Sequence, residues 1–144
     1  MNPVSKVDQI RRWTQVDVRE VWPSEPRDFT PWLSRNLDLL EIKELGVLEL
    51  EDKEVQVGSR YLDILARASF GVLIAIENQF SRTDHDHLTR GLSYAVGKNA
   101  QYLVVISEEH REEFQNVATH INTVSQNSDS RIGIFLVEFT VKES

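Results

Sequence analysis

The sequence predicts an α/β fold, with a mixed central β-sheet of about five strands flanked by helices in the order αβββαβαβ. Three observations predict it. Residues 72–76 and 102–106 are continuously apolar, as strands buried on both faces are. Helical apolar spacing alternates with strands through the second half, which implies parallel pairing through crossovers. The first half instead reads as an antiparallel meander that closes in a hairpin over residues 58–79.

The 144 residues suit one domain with a substantial core, read as an N-terminal extension over 1–27 and a core over 28–140. Alternation over 16–22 predicts a strand, and Pro23 and Pro26 predict a turn after it. Asp28 reads as a helix N-cap with Pro31 in the first turn. Phe29, Trp32, Leu33, Leu37, Leu39 and Leu40 extend that helix to about Leu45, where Gly46 ends it. Trp22 and Trp32 read as core or interface anchors. Residues 47–50 open a strand, 51–53 form a charged turn, and 54–57 alternate as a half-buried strand does. The hairpin strands follow at 61–66 and 72–76.

Thr83 or Asp84 caps the next helix, which buries Leu88, Leu92, Tyr94 and Ala95 and ends at Gly97. After the strand at 102–106, Ser107 with Glu108 and Glu109 reads as the acidic start of a helix through Phe114, Val117, Ala118 and Ile121. His110 and His120 are expected on its surface. Residues 126–130 are a polar loop, and 132–139 the last strand.

Composition bounds the function. There is no cysteine, which excludes disulfides, thiolate zinc sites and a Cys nucleophile. The start of the chain lacks a signal-peptide pattern, and no apolar run approaches the roughly 18 residues of a membrane span, so a cytoplasmic protein with no membrane partner is expected. The formal net charge of −7 argues against a domain coated in basic residues, while leaving room for a local basic groove.

The chemistry centres on Asp63 and Glu77. The apolar run at 72–76 ends abruptly in Glu77-Asn78-Gln79, and a carboxylate at the end of a buried strand needs a charged partner. Residues 77 and 79 are two apart, so both side chains point to one face. Two carboxylates on adjacent strands supply the minimum for a hard divalent cation, which prefers a few carboxylates plus waters and phosphate oxygens. Spacing alone also fits a structural role, with Asp63 at a sheet margin and Glu77 paired with an arginine. Asp84-His85-Asp86-His87 does not suit zinc, because His85 and His87 diverge at a helix start and a structural site wants four ligands.

The pattern of Asp63, then Glu77-x-Gln79 fourteen residues on, resembles the metal-binding core of the PD-(D/E)XK nuclease superfamily. Further stretches are similar to an uncharacterised PD-(D/E)XK-like family: Asp28-Phe29-Thr30-Pro31-Trp32-Leu33, Asp63-Ile64-Leu65, and Thr83 to Leu88 followed by Leu92-Ser93-Tyr94-Ala95. The resemblance covers roughly residues 19–140. It implies a restriction-endonuclease-like fold, with Mg²⁺ or Mn²⁺ bound by Asp63, Glu77 and the Asn78 carbonyl. It also implies that Gln79 orients the attacking water. Two departures stand out. Gln79 replaces the usual Lys and carries no charge, and Arg90-x-x-x-Tyr94 stands where related nucleases often have Gln-x-x-x-Tyr. Arg90 and His87, with Tyr94, are then candidates for substrate contact. Arg90 also fits a solvated surface position, and His87 a capping segment. Glu25, Asn36 and Glu41 are candidates for a further ligand.

Three functions are therefore expected. The first is a metal-dependent endonuclease acting on DNA, working as a homodimer where two strands are cut. The second is a nuclease-derived domain, weak or inactive in catalysis, that binds nucleic acid or protein. The third is a small interaction domain with a structural acid pair.

Overall fold

The two continuously apolar runs become neighbouring strands at the middle of the sheet. The computed structural model describes residues 14–80, 82, 84–126 and 132–143. From the N-terminus the elements are β1 (Thr14–Val16), α1 (Val18–Val21), α2 (Thr30–Ser34), β2 (Leu48–Val57), β3 (Arg60–Ala68), β4 (Leu73–Asn78), α3 (His85–Gly97), β5 (Tyr102–Ser107), α4 (Glu112–Ser125), β6 (Gly133–Glu138) and β7 (Val141–Glu143). Among the described residues one sheet has five strands in the order β2-β3-β4-β5-β6. β2, β3 and β4 pair antiparallel, and β4, β5 and β6 pair parallel, as α3 and α4 crossovers require. The mixed α/β architecture is the one the sequence predicts.

Helices cover both faces. Ile74 and Ile76 of β4 join Val18, Phe29, Leu33 and Leu37 in one apolar cluster. Ala75 joins Leu88, Tyr94, Ala95, Phe114 and Ala118 of α3 and α4 in the other. This is the period-2 alternation of a strand buried on both sides. Trp22 and Trp32 pack with Phe29, as core anchors, and Phe29 in turn stacks on Phe139 at a centroid distance of 5.0 Å. Asn122 of α4 secures β6, donating to the Ile134 carbonyl at 2.9 Å and accepting its N–H at 2.7 Å.

Several local expectations are corrected. The helix expected over 28–45 breaks after Ser34 into a short 3-10 turn (Leu37–Leu39) and further turns. The Asn36 side chain takes the Trp32 carbonyl at 2.8 Å and Ser34 takes that of Pro31 at 2.7 Å, local bonds that compete with a continuing helix. Leu37, Leu40 and Leu45 are still buried, so the apolar spacing serves a winding segment. Asp28 is no N-cap, because it lies inside a π-helical turn (Glu25–Phe29) that runs into α2; its carboxylate accepts the Ser24 N–H at 2.8 Å. Of the strand expected over 16–22, only Val16 lies in a strand, at the end of β1, because Asp17 caps the short α1.

The charged turn at 51–53 lies inside the continuous strand β2, which absorbs it as an irregularity between Leu50 and Asp52. Ser107 is the buried end of β5, and the following helix starts later, after Arg111. His110, expected at the surface, is buried, with its Nε2 2.8 Å from the Val137 carbonyl. β7, which pairs with β1 in a second, two-stranded sheet, was not anticipated. Of the two expected caps of α3, Asp84 holds the position, and Thr83 lies outside the described residues, as do 127–131. No helix among the described residues is long and apolar enough to cross a membrane.

Candidate active site

β3 and β4 pair with Ile64 opposite Ile76, and continuing that register sets Asp63 opposite Glu77. The paired ladder stops there, and the two carboxylates take over as acceptors. The Glu77 carboxylate accepts the Asp63 N–H at 3.2 Å, and the Asp63 carboxylate accepts the Asn78 N–H at 2.9 Å. Glu77 is only 6% exposed, and Asp63 is half-buried. α3 lies directly over Glu77. Gly91 makes this approach possible, since a Cβ there would stand 3.1 Å from Leu103 and 3.5 Å from the Glu77 Cγ.

Burial, and next the negative charge of Asp63, push the Glu77 carboxyl up to about 9. The charge of Glu54 adds to the rise, while the Asp63 N–H and the Arg90 charge oppose it. Arg90 offsets this rise only in part, and its guanidinium is paired with Asp86 on the same helix at 2.8 Å.

The other residues singled out in the sequence divide into two groups. Gln79 follows Glu77 by two residues in the chain and meets the start of α3. The Gln79 N–H donates to the Ile106 carbonyl at 2.8 Å, and its side-chain Nε2 makes a long contact of 3.4 Å with Asp84. Its Oε1 is buried without a hydrogen-bond partner. Asp84 caps α3 by accepting the His87 N–H, and its carboxylate also meets the His87 Nδ1, both at 2.8 Å. Burial would raise Asp84, but these His87 hydrogen bonds outweigh it and hold the carboxyl below its ordinary value. His85 turns elsewhere, edge-on to Phe114 at 4.9 Å.

Asn78 and Tyr94 point into the protein. Tyr94 is 4% exposed, in the apolar cluster under α3, so its ring packs there instead of facing solvent. The Asn78 side chain is buried on the opposite face of the sheet. Asn36 is bonded to Trp32, Glu41 is exposed, and the Glu25 side chain lies outside the described residues.

Two residues were missed. Glu54 lies opposite Asp63, between the pairs Lys53–Ile64 and Val55–Leu62, and it has a left-handed φ of 52° that non-glycine residues rarely adopt. Burial raises its carboxyl as well. Its alternating stretch marked a strand, but nothing in the sequence marked the register. Thr30 is the other, and it reaches Asn78 from α2 at 3.2 Å.

The groups at hand are oxygen donors: the Asp63 and Glu77 carboxyls, with the Asn78 carbonyl and the Gln79 amide oxygen next to Glu77 in the chain. That fits a hard divalent cation. Among the described residues no three His, Cys, Asp or Glu side chains converge closely enough to form a cage. A cation here would complete its shell with water and substrate oxygens, as Mg²⁺ commonly does. Two surface cavities of about 330 and 370 Å³ lie away from the acid pair, along α4 and β6.

The fold is shared with a repair endonuclease and with EndoMS. A repair endonuclease from Pyrococcus abyssi superposes with a TM-score of 0.57 at 10% identity, over 76% of this chain and 45% of that one. EndoMS, in its complex with dsDNA, superposes with a TM-score of 0.57 at 12% identity, over 76% of this chain and 43% of that one. The chain thus spans less than half the length of either. No protein-family model and no curated protein matches the sequence. At these identities the likeness is one of fold.

Proposed function

We propose that this chain is a metal-dependent nuclease of PD-(D/E)XK type that hydrolyses phosphodiester bonds in DNA. The observation that carries the proposal is the cross-strand pair, in which the Asp63 carboxylate and the buried Glu77 carboxyl meet at the end of the hairpin and the charge of one raises the carboxyl of the other. Structure alone does not favour such a pair, since like charges close together are destabilising. A fold shared with a repair endonuclease, and with EndoMS solved in complex with dsDNA, supports DNA as the substrate.

In this reading Asp63, Glu77 and the Asn78 carbonyl hold Mg²⁺ or Mn²⁺. Such an ion lowers the pKa of water and offsets negative charge on a phosphodiester. Gln79 accepts a hydrogen bond from the attacking water through its free Oε1 and so orients it for in-line attack. Arg90 and His87, half-buried on α3, hold the DNA backbone, with Arg90 exchanging Asp86 for a phosphate. Tyr94 anchors the helix that carries them. Cutting both strands of a duplex takes two such sites, which a homodimer supplies; light scattering checks its mass.

One observation favours a second reading, a DNA-binding domain that does not cut. Gln79 is neutral where a Lys would add charge to the transition state. The test is cleavage of single- and double-stranded DNA and RNA in Mg²⁺ and in Mn²⁺, with Asp63→Ala run in parallel at matched purity. Cleavage by the wild type and none by Asp63→Ala supports the nuclease. Equal cleavage by both overturns it, and metal binding without cleavage leaves the second reading.

A further inference from the structure

The far face of β4 holds a polar contact that the acid pair does not use. Side chains alternate along a strand, so Asn78 points away from Glu77 and Gln79. Asn78 is 2% exposed, and Thr30 of α2 is 1% exposed. The Thr30 hydroxyl donates to the Asn78 Oδ1 at 3.2 Å, and the Asn78 Nδ2 has no partner. The surrounding face is apolar, with Phe29, Leu33, Ile76 and Ile106 in its cluster.

Stability does not account for this pair. A buried amide with an unmade hydrogen bond is destabilising, and an apolar pair of similar shape is neutral or better. Position does account for it. The Asn78 N–H donates to the Asp63 carboxylate at 2.9 Å, and the next N–H, of Gln79, donates to the Ile106 carbonyl at 2.8 Å. The main chain at Asn78 therefore sets where Asp63, Glu77 and Gln79 stand.

We infer that Thr30 and Asn78 are positioning residues. Thr30 holds the Asn78 side chain from behind the sheet, and this fixes the main chain that presents Glu77, Gln79 and the Asn78 carbonyl to a divalent cation. The inference rests on the nuclease reading above. Partners that orient metal ligands act in this way, and their loss typically weakens metal binding about 10- to 100-fold.

The test is Mn²⁺ titration by calorimetry, with thermal melting in EDTA, on the whole chain. Thr30→Val removes the hydroxyl and keeps the shape; it is expected to weaken Mn²⁺ binding about tenfold or more. Thr30→Ser, which keeps the hydroxyl, binds as the wild type does. The double variant Thr30→Val/Asn78→Leu melts at or above the wild-type temperature, yet binds Mn²⁺ as weakly as Thr30→Val. On DNA, kcat falls in both while KM holds. Wild-type Mn²⁺ affinity in either variant overturns the inference, as does an equal loss in Thr30→Ser. Failure of the wild type itself to bind Mn²⁺ overturns the nuclease reading and this inference with it.

Discussion

Asp63 donates its main-chain N–H to the Glu77 carboxylate across the β3–β4 hairpin, at 3.2 Å. The Asp63 carboxylate in turn receives the Asn78 N–H at 2.9 Å. Carboxylate oxygens thus finish the ladder where its paired register ends at Ile64 and Ile76. Each acid both closes the hairpin and, when ionised, adds negative charge, and substitutions separate the two roles.

Asp63→Asn keeps an acceptor for the Asn78 N–H while removing the charge. Its melting temperature in EDTA should equal or exceed that of the wild type. Saturating Mn²⁺ should stabilise only the wild type, by about 2.7 kcal/mol at one hundred times Kd. Calorimetric melts with and without metal check this, and an equal metal-induced rise in both proteins would count against the site.

The raised Glu77 carboxyl makes the metal-free protein sensitive to alkali. A carboxyl raised from 4.5 to about 9 on folding binds its proton more tightly in the native state. Its contribution is fully present below 4.5 and is lost as pH rises through about 9. In EDTA, stability should therefore decline from pH 5 to 9, by several degrees in Tm. Glu77→Gln should flatten the decline. A decline of equal size in Glu77→Gln would place its origin elsewhere.

Gln79→Ala should slow cleavage about 10²-fold, the scale of one positioned polar group, without abolishing metal binding. Gln79→Lys should retain or raise activity, because Lys adds the positive charge that Gln79 lacks. Single-turnover cleavage rates at saturating metal separate these outcomes.

Gly91→Ala tests the approach of α3 to the acid pair. Alanine favours a helix by about 1 kcal/mol, while overpacking costs typically 1–3 kcal/mol. Leu103 is fully buried, so it cannot easily move from a Cβ 3.1 Å away. A net loss of about 1 kcal/mol, or roughly 4 °C in Tm, is expected, together with weaker Mn²⁺ binding. A gain in Tm would mean that the helix is free to shift.

Asp84→Ala should remove the α3 cap, at a loss of about 1 kcal/mol. Asp84→Asn should recover most of it, since Asn caps as well as Asp does. Chemical denaturation midpoints at neutral pH measure both.

Much of the fold was legible because burial writes itself into periodicity. Residues 72–76 and 102–106 have no polar face, so only strands with helices on both sides accommodate them. The helix expected at 28–45 shows the limit. Leu37, Leu40 and Leu45 carry the helical spacing and are buried, but Ser34 and Asn36 bond to local carbonyls and end the helix early. Periodicity reports which side chains are buried; it does not report how the main chain satisfies its own hydrogen bonds.

By itself the sequence determined the α/β class, the hairpin, and the placing of Asp63, Glu77 and Gln79 on it, since strand alternation is local and each of these follows from spacing along the chain. Only the tertiary structure decided that Glu54 stands opposite Asp63, that Thr30 reaches Asn78 from α2, and that α3 settles on Glu77 through Gly91. These depend on strand register and on packing between segments far apart in sequence. Many side chains share in setting both, so no single stretch of the chain encodes them.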